Sequence, residues 1–110
     1  MRWIVLVLML LPAMASADWL RLSSDVEVEE ALANRTLVYD AYTTQSFSAS
    51  GETLYITERV AQGRWAARGG QYCSVWPPSD VWTCYDLEVD GIRLRFTGPD
   101  RVSTEGEYAK

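Results

Sequence analysis

Few side chains in this sequence could carry chemistry, and the first to consider are its two cysteines, Cys73 and Cys84. A redox-active pair would typically have Cys-x-x-Cys spacing, and two thiols alone are too few for a structural zinc site. In an exported protein such a pair normally forms a disulfide, worth about 3 kcal/mol for a loop of this length. Because the N-terminus described below indicates export, we predict a Cys73–Cys84 disulfide.

Histidine is absent from the chain. Its absence excludes Ser-His-Asp and Cys-His catalysis, His-ligated zinc and the usual general base near neutral pH. Paired carboxylates, as in glycosidases, are the remaining catalytic option, but no Asp or Glu lies in an evidently apolar stretch. We therefore predict a protein that is not an enzyme, with no catalytic residue, no metal and no cofactor. A carboxylate-based hydrolase is the remote alternative.

Aromatic residues concentrate around the rigid Pro77-Pro78 pair, with Tyr72 and Trp76 before it and Trp82 after it. Such rings on a disulfide-stiffened loop suit stacking on a sugar or contact with a protein, because little ordering entropy is lost on binding. The same rings could instead fill the core of a small domain. The candidate ligand or partner contacts are Trp82, Trp76 and Tyr72, and Trp82 is the ring we expect to be exposed.

The N-terminus has the features of a secretory signal peptide over residues 1–17. Met1-Arg2 is followed by an apolar run that Pro12 breaks, and Ala15-Ser16-Ala17 resembles a signal-peptidase site. The run is shorter than the ~20 residues that span a bilayer. We predict cleavage after Ala17, one small disulfide-stapled β domain over residues 18–110, and a periplasmic or secreted protein without membrane insertion.

The charge of the chain limits its partners. Its formal net charge is −5, and its single lysine is the last residue, Lys110. An acidic domain of this kind is not expected to bind nucleic acid or an anionic membrane surface. The partners that remain are a periplasmic protein or an envelope glycan, and the oligomeric state is left open.

The elements that must position these residues are one helix and a series of strands. Ser24 and Glu27 form a capping box that starts a helix over roughly residues 24–33, and Asn34 suits a left-handed residue at its end. Strand-forming segments and turn signals then alternate to the C-terminus. The predicted fold class is α+β, mainly β: a short N-terminal helix followed by an antiparallel meander of about 6–8 short strands, as a curved sheet or a small lipocalin-like barrel.

The helix is expected to bury an apolar stripe formed by Val28, Ala31 and Leu32. Turns between the strands are expected at Ser50-Gly51, Gly69-Gly70, Pro77–Asp80, Asp90-Gly91 and Gly98–Asp100.

Two hairpins have a predicted register. A type I′ turn at Asp90-Gly91 pairs residues 89 with 92, 87 with 94 and 85 with 96, and brings Glu88 opposite Arg93. A loop over Pro77–Asp80 places the two cysteines opposite each other. Continuing the alternation of faces puts Val81 and Tyr85 in the core and Trp82 outside, while Trp65 and Tyr39 are expected to be core residues.

Several motifs resemble those of a known group of sequences. They are the helix end Ala31–Leu37, the segments Gly63-Arg64-Trp65 and Gln71–Pro78, and Cys84–Leu87. Together with the signal peptide they are similar to a group of small exported (periplasmic) proteins of Gram-negative bacteria with one disulfide. This resemblance implies a compartment and a fold, but no activity. Gly63-x-Trp65 also resembles the lipocalin Gly-x-Trp signature, which implies a lipocalin-like meander.

Three function classes follow. The first is an exported binding or interaction domain that contacts an envelope component or a protein, including an inhibitor of a wall-degrading enzyme. The second is a small lipocalin-like carrier of an apolar ligand, and the third is the hydrolase mentioned above. An exposed tryptophan patch favours the first class, a closed apolar cavity the second, and two convergent carboxylates the third.

Overall fold

The computed structural model describes residues 18–110, so the predicted signal peptide 1–17 lies outside the described residues. This part of the chain forms one helix and nine strands. No helix among these residues is long and apolar enough to cross a membrane. In chain order the elements are β1 (Leu20–Arg21), α1 (Asp25–Leu32), β2 (Arg35–Asp40), β3 (Thr43–Phe47), β4 (Glu52–Ile56), β5 (Val60–Arg68), β6 (Gln71–Val75), β7 (Thr83–Asp90), β8 (Arg93–Thr97) and β9 (Ser103–Tyr108).

The eight strands after the helix close into an antiparallel barrel. Neighbours along the chain pair from β2 to β9, and β9 also pairs with β2, where Leu37 faces Tyr108. Closure leaves no open edge among these eight strands, which removes the exposed ladder that an open sheet would present. The short β1 pairs with the end of β7. The mainly β fold with one helix is therefore confirmed, and of the two predicted forms the sheet adopts the barrel.

The helix begins and ends as its capping residues predict. The Ser24 hydroxyl accepts a hydrogen bond from the Glu27 backbone N–H at 3.2 Å, and the Glu27 carboxylate accepts from the Ser24 hydroxyl at 3.0 Å. The helix ends at Leu32 with Ala33 as its C-cap, and Asn34, which follows, has a left-handed φ of 60°. Val28 and Leu32 are completely buried, so the predicted stripe docks on the barrel.

One end of the barrel is closed by this helix. α1 packs against β5, β2 and β6, and the Tyr108 hydroxyl on β9 donates to the Ala31 carbonyl at 2.7 Å. Trp65 is 6% exposed at this end, and its indole N–H donates to the Ser48 carbonyl at 2.8 Å. Trp65 is thus a core residue, as predicted. The apolar core around it includes Leu37, Phe47, Leu87 and Leu94.

The predicted register of the β7–β8 hairpin is wrong by one turn position. Asp90 pairs with Arg93 and Val89 with Leu94, so the two loop residues are Gly91 and Ile92. Gly91 has φ +59° and Ile92 has no positive φ, as in a type II′ turn, which takes glycine first. Each residue of β7 pairs with a β8 residue two positions further along than predicted. Because side chains alternate with a period of two, the residues predicted to face inward still do so. The consequences of the shift are that Ile92 is exposed and that Arg95, rather than Arg93, pairs with Glu88.

The β6–β7 hairpin has the predicted register and the predicted disulfide. Cys73 and Cys84 are directly opposed and bonded, with 4.0 Å between their Cα atoms. A disulfide is typical of proteins from oxidising compartments. The last backbone pair of this hairpin is Ser74–Thr83, so its loop begins before the predicted Pro77 and ends after the predicted Asp80. For that reason Val81, predicted to be in the core, is 68% exposed, and that prediction is wrong.

Candidate functional site

The end of the barrel opposite the helix contains a cavity of about 380 Å³ that opens to solvent. Alternate residues of the strands point into it, as the two-residue period of a strand requires. Its volume lies within the range of roughly 300–1,000 Å³ that small-molecule sites occupy. The lining residues are Tyr39, Gln45, Tyr55, Ala61, Tyr72, Ser74, Trp76, Tyr85, Phe96 and Thr104.

Six aromatic rings form most of the wall of this cavity. Each ring lies next to another, so that they make a continuous chain around the cavity. The ring centroids are 6.3 Å apart for Trp76–Tyr55, 5.9 Å for Tyr55–Tyr39, 6.3 Å for Tyr39–Phe96, 5.2 Å for Phe96–Tyr72 and 5.7 Å for Tyr72–Tyr85. The Trp76–Tyr55 and Phe96–Tyr72 pairs meet edge to face, a favourable geometry that fixes ring orientation. The wall is therefore rigid, flat-sided and largely apolar.

Trp76 follows the last residue of β6 and is held in place by a close approach to Gly63. A Cβ at position 63 would lie 2.6 Å from the indole ring, so only glycine leaves room for it. The indole N–H donates to the Ser74 hydroxyl at 3.2 Å. The Gly63-x-Trp65 segment thus serves both ends of the barrel: Trp65 fills the closed end, and Gly63 seats Trp76 at the open end.

The floor of the cavity is a hydrogen-bond network centred on Gln45, which is 4% exposed. Its side-chain oxygen accepts from the Tyr39 hydroxyl at 2.6 Å. Its amide nitrogen donates to the Thr53 hydroxyl at 2.9 Å and to the Tyr72 hydroxyl at 3.1 Å. The Thr53 hydroxyl donates in turn to the Ser46 carbonyl at 2.8 Å. Every polar side-chain atom buried among residues 18–110 has a hydrogen-bond partner.

The cavity lining holds no Asp, Glu, Lys or Arg. Burial raises the pKa of the Tyr39 phenol well above its usual range, and nearby Tyr72 and Tyr55 add to that shift. Burial also raises the pKa of Tyr72. Because a low dielectric penalises the phenolate, both hydroxyls stay protonated and uncharged. The site offers a neutral, partly hydrogen-bonding interior in which no charge would be stabilised.

Of the three predicted contact residues, the structure brings two together and separates the third. Tyr72, 4% exposed, and the half-buried Trp76 line the cavity. Trp82 lies on the outer wall, as predicted from its strand face, but it is only partly exposed. The Arg68 guanidinium stacks on its ring at 4.2 Å from the centroid. Trp82 therefore cannot act with Tyr72 and Trp76 on one ligand, because the barrel wall lies between them.

Sequence reasoning missed most of the cavity. Tyr39, a predicted core residue, packs against the core and also lines the cavity, while the sequence pattern predicts no role for Gln45. The available signal was strand alternation, because Gln45 lies two residues before the buried Phe47 and so shares its inward face. β3 was not predicted as a strand, since its run of polar residues hides that alternation.

The loops at the open end carry exposed apolar side chains. Five of them come from the four loops or adjoining strand ends at this end of the barrel, so a ligand entering the cavity would pass an apolar rim. They are Tyr42, Ile56, Val60, Val81 and Val102. Among residues 18–110 there is no cluster of three or more potential metal ligands.

Comparison with known proteins adds no further assignment. No protein family, curated protein or solved structure matches the chain.

Proposed function

We propose that this protein is an exported, non-enzymatic carrier that binds a small, uncharged, largely apolar molecule in the cavity at the open end of its barrel. The observation that carries this proposal is the aromatic cavity of about 380 Å³ inside a closed barrel. A concave, mainly apolar site with a few converging polar groups is the usual form of a small-molecule site. Of the function classes predicted from the sequence, this is the lipocalin-like carrier.

The rigidity of the site supports a binding role. The rings that form the wall are braced against each other, against Gly63 and by the Gln45 network, so binding a ligand orders few side chains. A preformed site loses less conformational entropy on binding than a flexible one. The compartment belongs to the same proposal: with residues 1–17 as a signal peptide, the carrier would act in the periplasm or outside the cell. Cys73–Cys84 would then remain oxidised.

The direct test measures binding of phenylnaphthylamine, an uncharged probe that fluoresces in apolar sites. Ala61→Trp places a large ring among the cavity-lining residues and is expected to weaken probe binding by at least roughly tenfold. Gln62→Trp is the matched control, since position 62 is the next residue of the same strand, alternates to the outside of the barrel and does not line the cavity. The proposal fails if the wild-type protein does not bind the probe, or if Ala61→Trp binds it as well as Gln62→Trp does.

A second candidate function is contact with a periplasmic protein or envelope glycan through Trp82. The observation that favours it is the position of Trp82 between two outer grooves, of about 590 and 420 Å³, both of which it lines. Partly exposed tryptophans are common anchors of interfaces. If Trp82 is such an anchor, Trp82→Ala should melt within a few degrees of wild type while losing that contact. A large loss of stability would instead make Trp82 a structural residue.

A further inference from the structure

The donors and acceptors on the cavity floor are almost completely used by the protein itself. The Tyr39 hydroxyl donates to Gln45, and the Gln45 amide donates to Thr53 and Tyr72. These bonds fix the orientation of the Gln45 amide, because its oxygen must face Tyr39 and its nitrogen must face the other two hydroxyls. Neither N–H of this amide is left for a ligand.

Ser74 and Trp76 form a separate hydrogen bond beside the Gln45 network, which ends at Tyr72. The Trp76 indole N–H donates to the Ser74 oxygen at 3.2 Å. The Tyr72 hydroxyl accepts from the Gln45 amide at 3.1 Å, and among residues 18–110 it donates to no side-chain or backbone group. A hydroxyl has one proton to donate as well as lone pairs, so the proton of Tyr72 is the donor that the Gln45 network leaves unused.

That unused donor is buried among apolar rings. Tyr72 is 4% exposed, and its ring contacts those of Phe96 and Tyr85 at centroid distances of 5.2 and 5.7 Å. A ligand oxygen that accepts a hydrogen bond from Tyr72 would give up a bond to water and gain one in a low-dielectric site, where the bond is electrostatically stronger. A charged group would lose its hydration without gaining an opposite charge, since no cavity-lining side chain carries one.

We propose that the ligand of this cavity is an uncharged, flat ring compound with one carbonyl-type oxygen, which accepts a hydrogen bond from the Tyr72 hydroxyl while the ring lies against Phe96 and Tyr85. This inference rests on the cavity being a ligand site, as proposed above. The Tyr72 oxygen already accepts from Gln45 while its O–H is unused, which favours a ligand that accepts over one that only donates. Polar sugars are disfavoured, because the amide that could bind several of their hydroxyls has both of its N–H donors engaged.

The test compares three ring compounds of similar size as competitors of phenylnaphthylamine: naphthalene, acetylnaphthalene and naphthoate. Acetylnaphthalene is expected to bind roughly two- to tenfold more tightly than naphthalene, the usual worth of one neutral hydrogen bond, and naphthoate to bind more weakly than both. In Tyr72→Phe the preference for acetylnaphthalene should disappear while naphthalene still binds. Tyr85→Phe is the matched control: it removes a hydroxyl from the neighbouring ring and should keep the preference.

A second measurement uses the wild-type protein alone and does not depend on the folding of a variant. The carbonyl stretching frequency of bound acetylnaphthalene should be lower than in an apolar solvent, because the Tyr72 hydroxyl donates to it. If phenylnaphthylamine binds but all three compounds bind equally, or naphthoate binds best, or the carbonyl frequency is that of a free ketone, the inference is overturned and the carrier function stands. If neither phenylnaphthylamine nor any of the three compounds binds, the carrier function itself fails.

Discussion

At one end of the barrel Val28, Leu32 and Leu87 are completely inaccessible to solvent, whereas at the other end Tyr55, Trp76 and Tyr85 are partly exposed around an open cavity. The closed end is packed by aliphatic side chains and a capped helix. The open end is walled by rings that touch each other but leave space between them. In a domain this small, close packing stabilises the fold, while unfilled volume does not. The comparison indicates that close packing is concentrated at the helix end, whereas the open end retains unfilled volume.

The largest expected effect comes from comparing one tryptophan at each end. Trp65→Ala removes a ring that is 6% exposed and should cost about 3–5 kcal/mol of the free energy of unfolding, which is enough to unfold a marginal domain. Trp76→Ala removes a half-buried ring and should cost clearly less, while abolishing most phenylnaphthylamine binding. Urea melts and probe titrations of both variants test this contrast. Equal losses of stability would mean that the open end is also core.

An effect of intermediate size is expected from the disulfide, which joins two strands that carry cavity residues. Replacing both Cys73 and Cys84 with alanine should lower the free energy of unfolding by about 2–4 kcal/mol, because the unfolded chain regains the freedom that the cross-link removes. Hydrogen exchange of the backbone amides should rise more around Ser74 on β6 than in α1. A uniform rise in exchange rate would show that the two ends unfold as one unit and do not differ in local stability.

Local signals predicted the parts of this molecule whose geometry is set by neighbouring residues. The capping box at Ser24 and the left-handed Asn34 gave the helix correctly, and the Pro77–Asp80 loop gave the cysteine pairing. The sequence around Asp90-Gly91 fits a type I′ turn at residues 90–91 and also a type II′ turn at residues 91–92. Opposite-charge pairs across the strands do not distinguish the two registers. Glu88 meets an arginine in either register.

The cavity could not be predicted in the same way, because it depends on contacts between residues far apart in the chain. Closure requires β9 to pair with β2, and only closure brings the Tyr39 and Tyr72 rings to one space. Tyr72 and Trp76 are predicted contacts because they are aromatic and lie near a rigid loop, and the same is true of Trp82. Alternation of strand faces separates Trp82, which lies outside, from the other two rings. Only the closed barrel shows that Tyr72 and Trp76 face a cavity rather than a filled core.

The smallest expected effect is a difference in how the two ends respond to pH. Hydrogen bonds from the Ser24 side chain, and then from the Ser23 backbone, lower the pKa of Glu27 at the start of the helix. A carboxylate with a lowered folded-state pKa stabilises the protein above its unfolded pKa, about 4.3 for glutamate, and this contribution is lost as the pH falls through the folded value. Wild type should therefore melt slightly above Glu27→Gln at neutral pH, and the gap should close in acid.

The cavity should not share this response. It has no carboxylate in its lining, and the raised pKa values of Tyr39 and Tyr72 keep both hydroxyls protonated well into the alkaline range. Binding of uncharged phenylnaphthylamine should therefore be constant from acid conditions that leave the fold intact to mildly alkaline ones, in wild type and in Glu27→Gln alike. A binding curve that follows the titration of Glu27 would show that the helix and the cavity are coupled through the barrel, and the two ends could no longer be treated as independent.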